Sequence, residues 1–180
     1  MRVISGKYKN RVLLFDKNCR PTMARIRESL FAILKPHLKN ADVLDLFAGS
    51  GALGIEALSN GARSCVFVEK NKDVFVKLQK NLSFVEEETK IINNEFCHIS
   101  GKYDIIILDP PYQQDLLQQA LSLIKEKDLL RNKGLIVVEL EKEQFEYQGF
   151  LLYRQKEYGR KKILILKKME VEEDGKRSNH

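Results

Sequence analysis

From residue 42 onward, short apolar runs alternate with stretches whose apolar positions recur every three to four residues. "DVLDLF" reads as a buried strand, and "ALGIEALSNG" as a helix stopped by Gly61. "SCVFVE" is a second strand. Asn71 then caps a helix "KDVFVKLQKNL" with Val74, Leu78 and Leu82 on one face. "KIIN" and "YDIIILD" supply two more strands, "QDLLQQALSLIKEKDLL" a long amphipathic helix, and "GLIVVEL" a fifth strand. The span from Glu95 to Tyr103 is too short for a crossover helix, so a short loop or single turn is expected there. "FLLYRQKEYG" and "KKILILKK" read as an antiparallel hairpin at a sheet edge, turning near Gly159. Strands alternating with helices in this way predict an α/β fold, a doubly wound, mostly parallel sheet.

The first 40 residues break the pattern. "MRVISGKYKNRVLLF" looks like a small hairpin turning at Lys9 and Asn10. "TMARIRESLFAIL" reads as a helix capped by Thr22 and ended by Pro36. The expected organisation is a basic hairpin-and-helix extension over 1–40, a catalytic unit over 41–168, and a disordered polar tail over 169–180.

Charge sharpens this division. The net +6 is uneven: residues 1–40 carry ten Lys and Arg against two Asp and Glu, and residues 153–168 carry seven against one. Residues 41–152 carry twelve against eighteen. An acidic body with two basic segments suits a polyanionic partner. No apolar run approaches membrane-spanning length, so a cytoplasmic protein is expected. Cys19, Cys65 and Cys97 are far apart and form no ligand spacing with the three histidines, so neither a disulfide framework nor a metal site is expected.

The candidate chemistry begins in "VLDLFAGSGALGIEAL", whose Gly49, Gly51 and Gly54 form G-x-G-x-x-G. Such glycines say that a backbone turns tightly and approaches something closely. Their neighbours are more specific. Asp45, ending the first strand, would repel a pyrophosphate but attract an ammonium group. Glu69, ending the second, can accept both hydroxyls of a ribose. A ligand with an amino-acid end and a ribose is S-adenosylmethionine. After the fourth strand comes "DPPY", Asp109 to Tyr112. Prolines fix the backbone and remove N–H donors, leaving outward carbonyls beside the Asp109 carboxylate and an aromatic ring. That cluster matches the two N–H donors and flat face of an exocyclic nucleobase amine.

Together "DLFAGSGALGIEA", Glu69 and "DPPY" resemble the class I amino-methyltransferases. The opening "MRVISGKYKNRVL" with "RPTMARIRESLFAIL" resembles the RsmD-like family of bacterial 16S rRNA guanine-N2-methyltransferases over residues 1–168. The resemblance implies a seven-stranded sheet with its seventh strand antiparallel, and the methionine end of the cofactor near Asp45 and Gly49. It places the target base at Asp109, Pro110, Pro111 and Tyr112. Phe47, Gly51 and Lys70 join the cofactor-binding set, and Glu95 and Phe96 are assigned to the adenine amine and ring. Candidate RNA contacts are Lys7, Lys9, Arg20, Thr22, Arg25, Arg27, Arg160 and Lys161, with Arg20, Thr22, Arg25 and Arg27 also open to the cofactor carboxylate. Met23-Ala24 after "RPT", the hairpin "YGRKK" and the short 95–103 loop depart from the family pattern.

The implied partner is small-subunit rRNA or an assembling small subunit, with the enzyme a monomer and the reaction free of metal. Alternatives are an adenine-N6 or glutamine methyltransferase, which share the cofactor, and an NAD-dependent dehydrogenase, which leaves Asp45 and "DPPY" without a purpose. A further rival is an RNA-binding protein whose catalysis has decayed.

Overall fold

The computed structural model describes residues 1–15, 24–111, 114–141, 146–147 and 149–169. Seven strands form one sheet in the order β3-β2-β1-β4-β5-β7-β6. They are β1 (Asp42–Asp45), β2 (Ser64–Val68), β3 (Glu88–Ile92), β4 (Tyr103–Leu108), β5 (Leu130–Glu141), β6 (Phe150–Tyr158) and β7 (Lys161–Lys168). The first five pair in parallel, and β7 runs antiparallel between β5 and β6. Strand order therefore reverses between β1 and β4, which opens a crevice at their carboxyl ends. The helices are α1 (Ala24–Leu38), α2 (Ala52–Ser59), α3 (Lys72–Leu82) and α4 (Gln114–Glu126).

Alternate residues of each strand feed two cores, as the period-two pleat requires. Val43, Ile105, Val137 and Ile165 face α1, α2, α3 and the N-terminal hairpin. Leu44, Ile106, Val138 and Leu164 face α4. Central strands buried on both sides explain why they read as unbroken apolar runs.

Several expected features take a different form. The N-terminal hairpin is held by one bridge, Arg2 to Val12, with Asn10 left-handed in its turn. Pro36 does not end α1 but lies in its last turn. Its ring would crowd the carbonyl of Ala32, an exposed position, while fully buried Leu38 draws the helix onward. Helix α4 stops at Glu126, because left-handed Asp128 turns the chain so that Leu129 and Leu130 enter the α4-side core. The 95–103 connection holds a single 3-10 turn, Phe96–His98. The Thr22 cap and nearly all of the proposed tail lie outside the described residues.

Candidate active site at the switch point

The pleat that sends Leu44 and Leu46 toward α4 sends Asp45 the other way, beneath the start of α2. There its Oδ2 accepts the Gly54 N–H at 3.1 Å, and the side chain is 1% exposed. Burial, reinforced by the nearby Glu69 carboxylate, pushes the Asp45 carboxyl up to about 7 against the pull of the Gly54 N–H.

The three glycines do different work. A Cβ on Gly54 would lie 2.3 Å from a Phe67 ring carbon, so this glycine lets α2 sit close on β2. A Cβ on Gly51 would meet Leu78 at 2.4 Å. Gly49, at φ 55°, has nothing within 4 Å of the equivalent point. Its open side is a place where a ligand can lie against backbone.

Glu69 follows β2 and clasps this loop. Its Oε2 accepts the Gly49 N–H at 2.9 Å, and its Oε1 accepts the Asn71 N–H at 2.8 Å. Asn71 caps α3 as expected, its side chain accepting from the amides of Asp73 and Val74. Each Glu69 oxygen keeps a lone pair for a further donor. Asn93 holds the adjacent strand ends together by donating to the carbonyls of Glu69 and Lys70.

Phe47 and Phe96 meet edge to face with centroids 5.4 Å apart, both half-buried against the α4-side core. Lys70 and Glu95 are exposed on the same rim. On β4, Ile107 is in register with Asp45, so Asp109 lies two residues farther along the neighbouring strand, roughly 7 Å. Asp109 and Pro110 are half-buried and Pro111 is exposed. Tyr112 lies outside the described residues, as do Arg20 and Thr22. The structure thus gathers the other proposed cofactor and base residues at the carboxyl ends of β1, β2, β3 and β4.

The proposed RNA contacts separate. Arg25, in the first turn of α1, and Arg160, in the β6–β7 turn, are exposed at the same end of the sheet as Asp109. Arg27 is a correction: it is 3% exposed, donates to the Arg2 carbonyl at 3.0 Å and lies 3.8 Å from Glu56. Burial pulls its guanidinium below the ordinary arginine range, with Glu56 and Glu28 opposing. Lys161 pairs with buried Glu139 on β5. Lys7 lies at the surface 2.9 Å from both Glu86 and Glu87, which raise its pKa. The turn bearing Lys7 and Lys9 docks on Ser59 at the C-terminal end of α2, away from Asp45 and Asp109.

Two residues the sequence reading passed over hold the extension in place. Glu56, 1% exposed, accepts the N–H groups of Ile4 and Ser5 and the Ser5 hydroxyl. Asn81 accepts the Leu14 N–H and donates to the carbonyls of Leu14 and Ser50, joining the extension to the glycine loop. The signal for Glu56 was a lone charge in the apolar helix "ALGIEALS". For Asn81 it was an amide beside the Val74-Leu78-Leu82 face. Among the described residues no three His, Cys, Asp or Glu side chains cluster as a metal site, and no helix is long and apolar enough to cross a membrane.

A sheet of this order with β7 antiparallel, an acidic residue under a glycine loop, a second carboxylate after β2 and Asp-Pro-Pro after β4 define a class I methyltransferase. The chain belongs to the RsmD family, whose model, described as "Conserved hypothetical protein 95", matches residues 1–167. It is 38% identical over 164 residues to ribosomal RNA small subunit methyltransferase D of Buchnera aphidicola, covering 86% of each chain. It is 37% identical over 182 residues to the putative rRNA methyltransferase YlbH of Bacillus subtilis, covering 93% of this chain and 99% of the relative. Among solved structures it is similar to the putative methyltransferase yhhF of Escherichia coli, with 33% identity and a TM-score of 0.85, covering 93% and 97% of the two chains.

Proposed function

We propose that this protein transfers the sulfonium methyl group of S-adenosylmethionine to the N2 amine of a guanine in small-subunit rRNA. The observation that carries the reading is the pairing of β1 and β4, which sets Asp45 and Asp109 on adjacent strand ends across the switch point. The relatives' names supply the substrate class; a cytoplasmic setting and a monomeric protein are part of the same proposal.

The residues fit the cofactor at the points the geometry offers. Asp45 would face its ammonium group, the open side of Gly49 would admit its close approach to the backbone, and Glu69 would accept from its ribose hydroxyls. Phe47 and Phe96 would wall its adenine, with Glu95 toward the adenine amine and Lys70 on the rim. When bound, it supplies an electrophilic methyl group on a good leaving group.

The chain's own task is to make a poor nucleophile attack. The N2 lone pair of guanine is delocalised into its ring. Hydrogen bonds from its two N–H groups to the Asp109 carboxylate and the Pro110 carbonyl favour a pyramidal nitrogen and stabilise the charge developing on it. Each such preorganised acceptor is worth on the order of 10²–10³ in rate. Asp109 or solvent takes the proton after transfer. A flipped or single-stranded guanine is required, since the amine must reach between strand ends.

The test is Asp109→Ala assayed with small-subunit rRNA and by calorimetry with S-adenosylhomocysteine. Methylation is expected to fall by at least about a hundredfold while cofactor affinity changes little. Near-normal turnover would remove Asp109 from the chemistry.

A further inference from the structure

Strand β6 is an edge strand whose last eight residues lie largely at the surface. Its partner β7 carries Ile163 and Ile165 toward α1. Between Leu152 and Arg154 the register slips, so that one residue of β6, Tyr153, has no opposite number on β7. Such a bulge turns two successive side chains toward one face. Tyr153 contacts His37 of α1 with ring centroids 6.5 Å apart, and Arg154 is paired with Ile165 of the α1-side core. Both therefore face α1.

Three exposed cations converge there. The Arg154 guanidinium and the Lys167 ammonium each lie 5.5 Å from the Tyr153 ring centroid. Lys156 donates to the Ser29 hydroxyl of α1 at 2.9 Å. None of the three has a carboxylate partner among the described residues. Glu157, the only acid of β6, faces away and accepts from Gln155 at 3.3 Å, while α1 has the single acid Glu28. Between α1 and β6 lies a shallow, solvent-open groove over Leu30, Ile33, Ile163 and Ile165, rimmed by Arg154 and Lys156.

Like charges gathered on one ring repel unless an anion joins them. An exposed aromatic ring flanked by unneutralised cations in a row forms a surface for the backbone of a nucleic-acid strand, with its phosphates on the cations. Along β7 the row extends from Ile163, opposite Lys156, to Lys167, about 13 Å, enough for more than one phosphate. Across the sheet β6 is three strand spacings from β4, about 14 Å from the strand that ends at Asp109. Exposed Arg25 and Arg160 continue the positive charge toward the strand ends.

Resting on the function proposed above, we infer that the α1–β6 face is a second docking surface for the rRNA substrate. It takes the phosphodiester backbone flanking the target guanine and is distinct from the pocket that takes the base.

The experiment compares three full-length proteins: wild type, the triple variant Arg154→Gln/Lys156→Gln/Lys167→Gln, and a control, Lys72→Gln/Lys80→Gln/Lys90→Gln, on the opposite edge of the sheet. Each is titrated with a small-subunit rRNA fragment over a range of salt, with S-adenosylhomocysteine by calorimetry, and assayed for methylation. The triple variant is expected to bind RNA about tenfold to a hundredfold more weakly at 0.15 M salt, with a log–log salt slope shallower by roughly 2 to 3. Its cofactor affinity and Tm stay at wild-type values, and its methylation loss is recovered at saturating RNA. The control keeps the wild-type slope. If the triple variant keeps wild-type RNA affinity and slope, or only gains a tendency to self-associate, the cations merely guard a sheet edge and the inference falls while the proposed function stands. If wild type itself neither binds nor methylates the RNA, both fall. An equal loss in the control assigns the effect to net charge and also overturns the inference.

Discussion

Asp45 is held almost wholly out of water with a single backbone donor, and its carboxyl is raised to about 7. The ligand-free fold keeps a proton that the unfolded chain has already lost above its ordinary value of 3.8. Its contribution to stability is therefore full at low pH, declines as pH rises toward 7 and is absent above that. A ligand ammonium reverses the preference, because it requires the carboxylate. Calorimetry with S-adenosylhomocysteine should show affinity rising with pH, by up to about tenfold per unit below 7, then levelling. Asp45→Asn should bind weakly and without that slope; a flat wild-type profile from pH 5.5 to 8.5 would break the proposed ion pair. Arg25 and Arg27, two positions apart, differ as sharply. Arg27→Ala should lower Tm, since it leaves Glu56 buried without its cation, at a cost of about 3 kcal/mol. Arg25→Ala should leave Tm unchanged and make the RNA salt slope shallower by about 0.7 to 0.9. Thermal melts beside salt titrations of the two variants decide this, and a Tm drop for Arg25→Ala alone would reverse the assignment.

At the scale of elements, the glycine loop joins two requirements that one substitution each can separate. Gly54→Ala drives a methyl group into Phe67 and should destabilise the α2–β2 packing by about 1–3 kcal/mol, seen as a lower Tm. Gly49→Ala meets no neighbour, but at φ 55° its methyl group strains the backbone by about 1–2 kcal/mol, so it should lower Tm modestly and cofactor affinity further. Equal Tm losses with unchanged affinity would show that Gly49 is structural too. The motif G-x-G-x-x-G is the same string in both roles, and only the neighbours of each glycine tell them apart. The same limit runs through the rest of the chain. Strands β1, β2 and β4 and the Asn71 cap were legible because burial on two faces and capping are local signals. So was the grouping of Asp45, Glu69 and Asp109, since each ends a strand and the fold class brings strand ends together. Pro36 misled because packing of Leu38 outweighed a local rule. Arg27 misled because composition counts charges but not their burial or partners, and Glu56 is distant in sequence. Docking of the extension through Glu56 and Asn81 depends on contacts more than fifty residues apart, which no local period reveals.

Over the whole molecule, β7 is flanked by β5 on one side and β6 on the other, yet it is the last of the described strands along the chain. The central residues of β5, from Leu135 to Val138, are buried on both faces, so without β7 they would present a long apolar edge with its amides unpaired. A chain cut after Gly159 should accordingly be insoluble on expression, while one cut after Met169 should retain the wild-type melting profile. A soluble, cooperative fragment ending at Gly159 would contradict that. Synthesis on the ribosome runs in the same direction as this dependence. The half of the sheet that carries the glycine loop and Asp109 is made first, but its open flank can be sealed only after β7 has followed β6. The nascent chain thus carries an unsealed flank from the emergence of β5 until β7 docks, the condition in which chaperones are most needed.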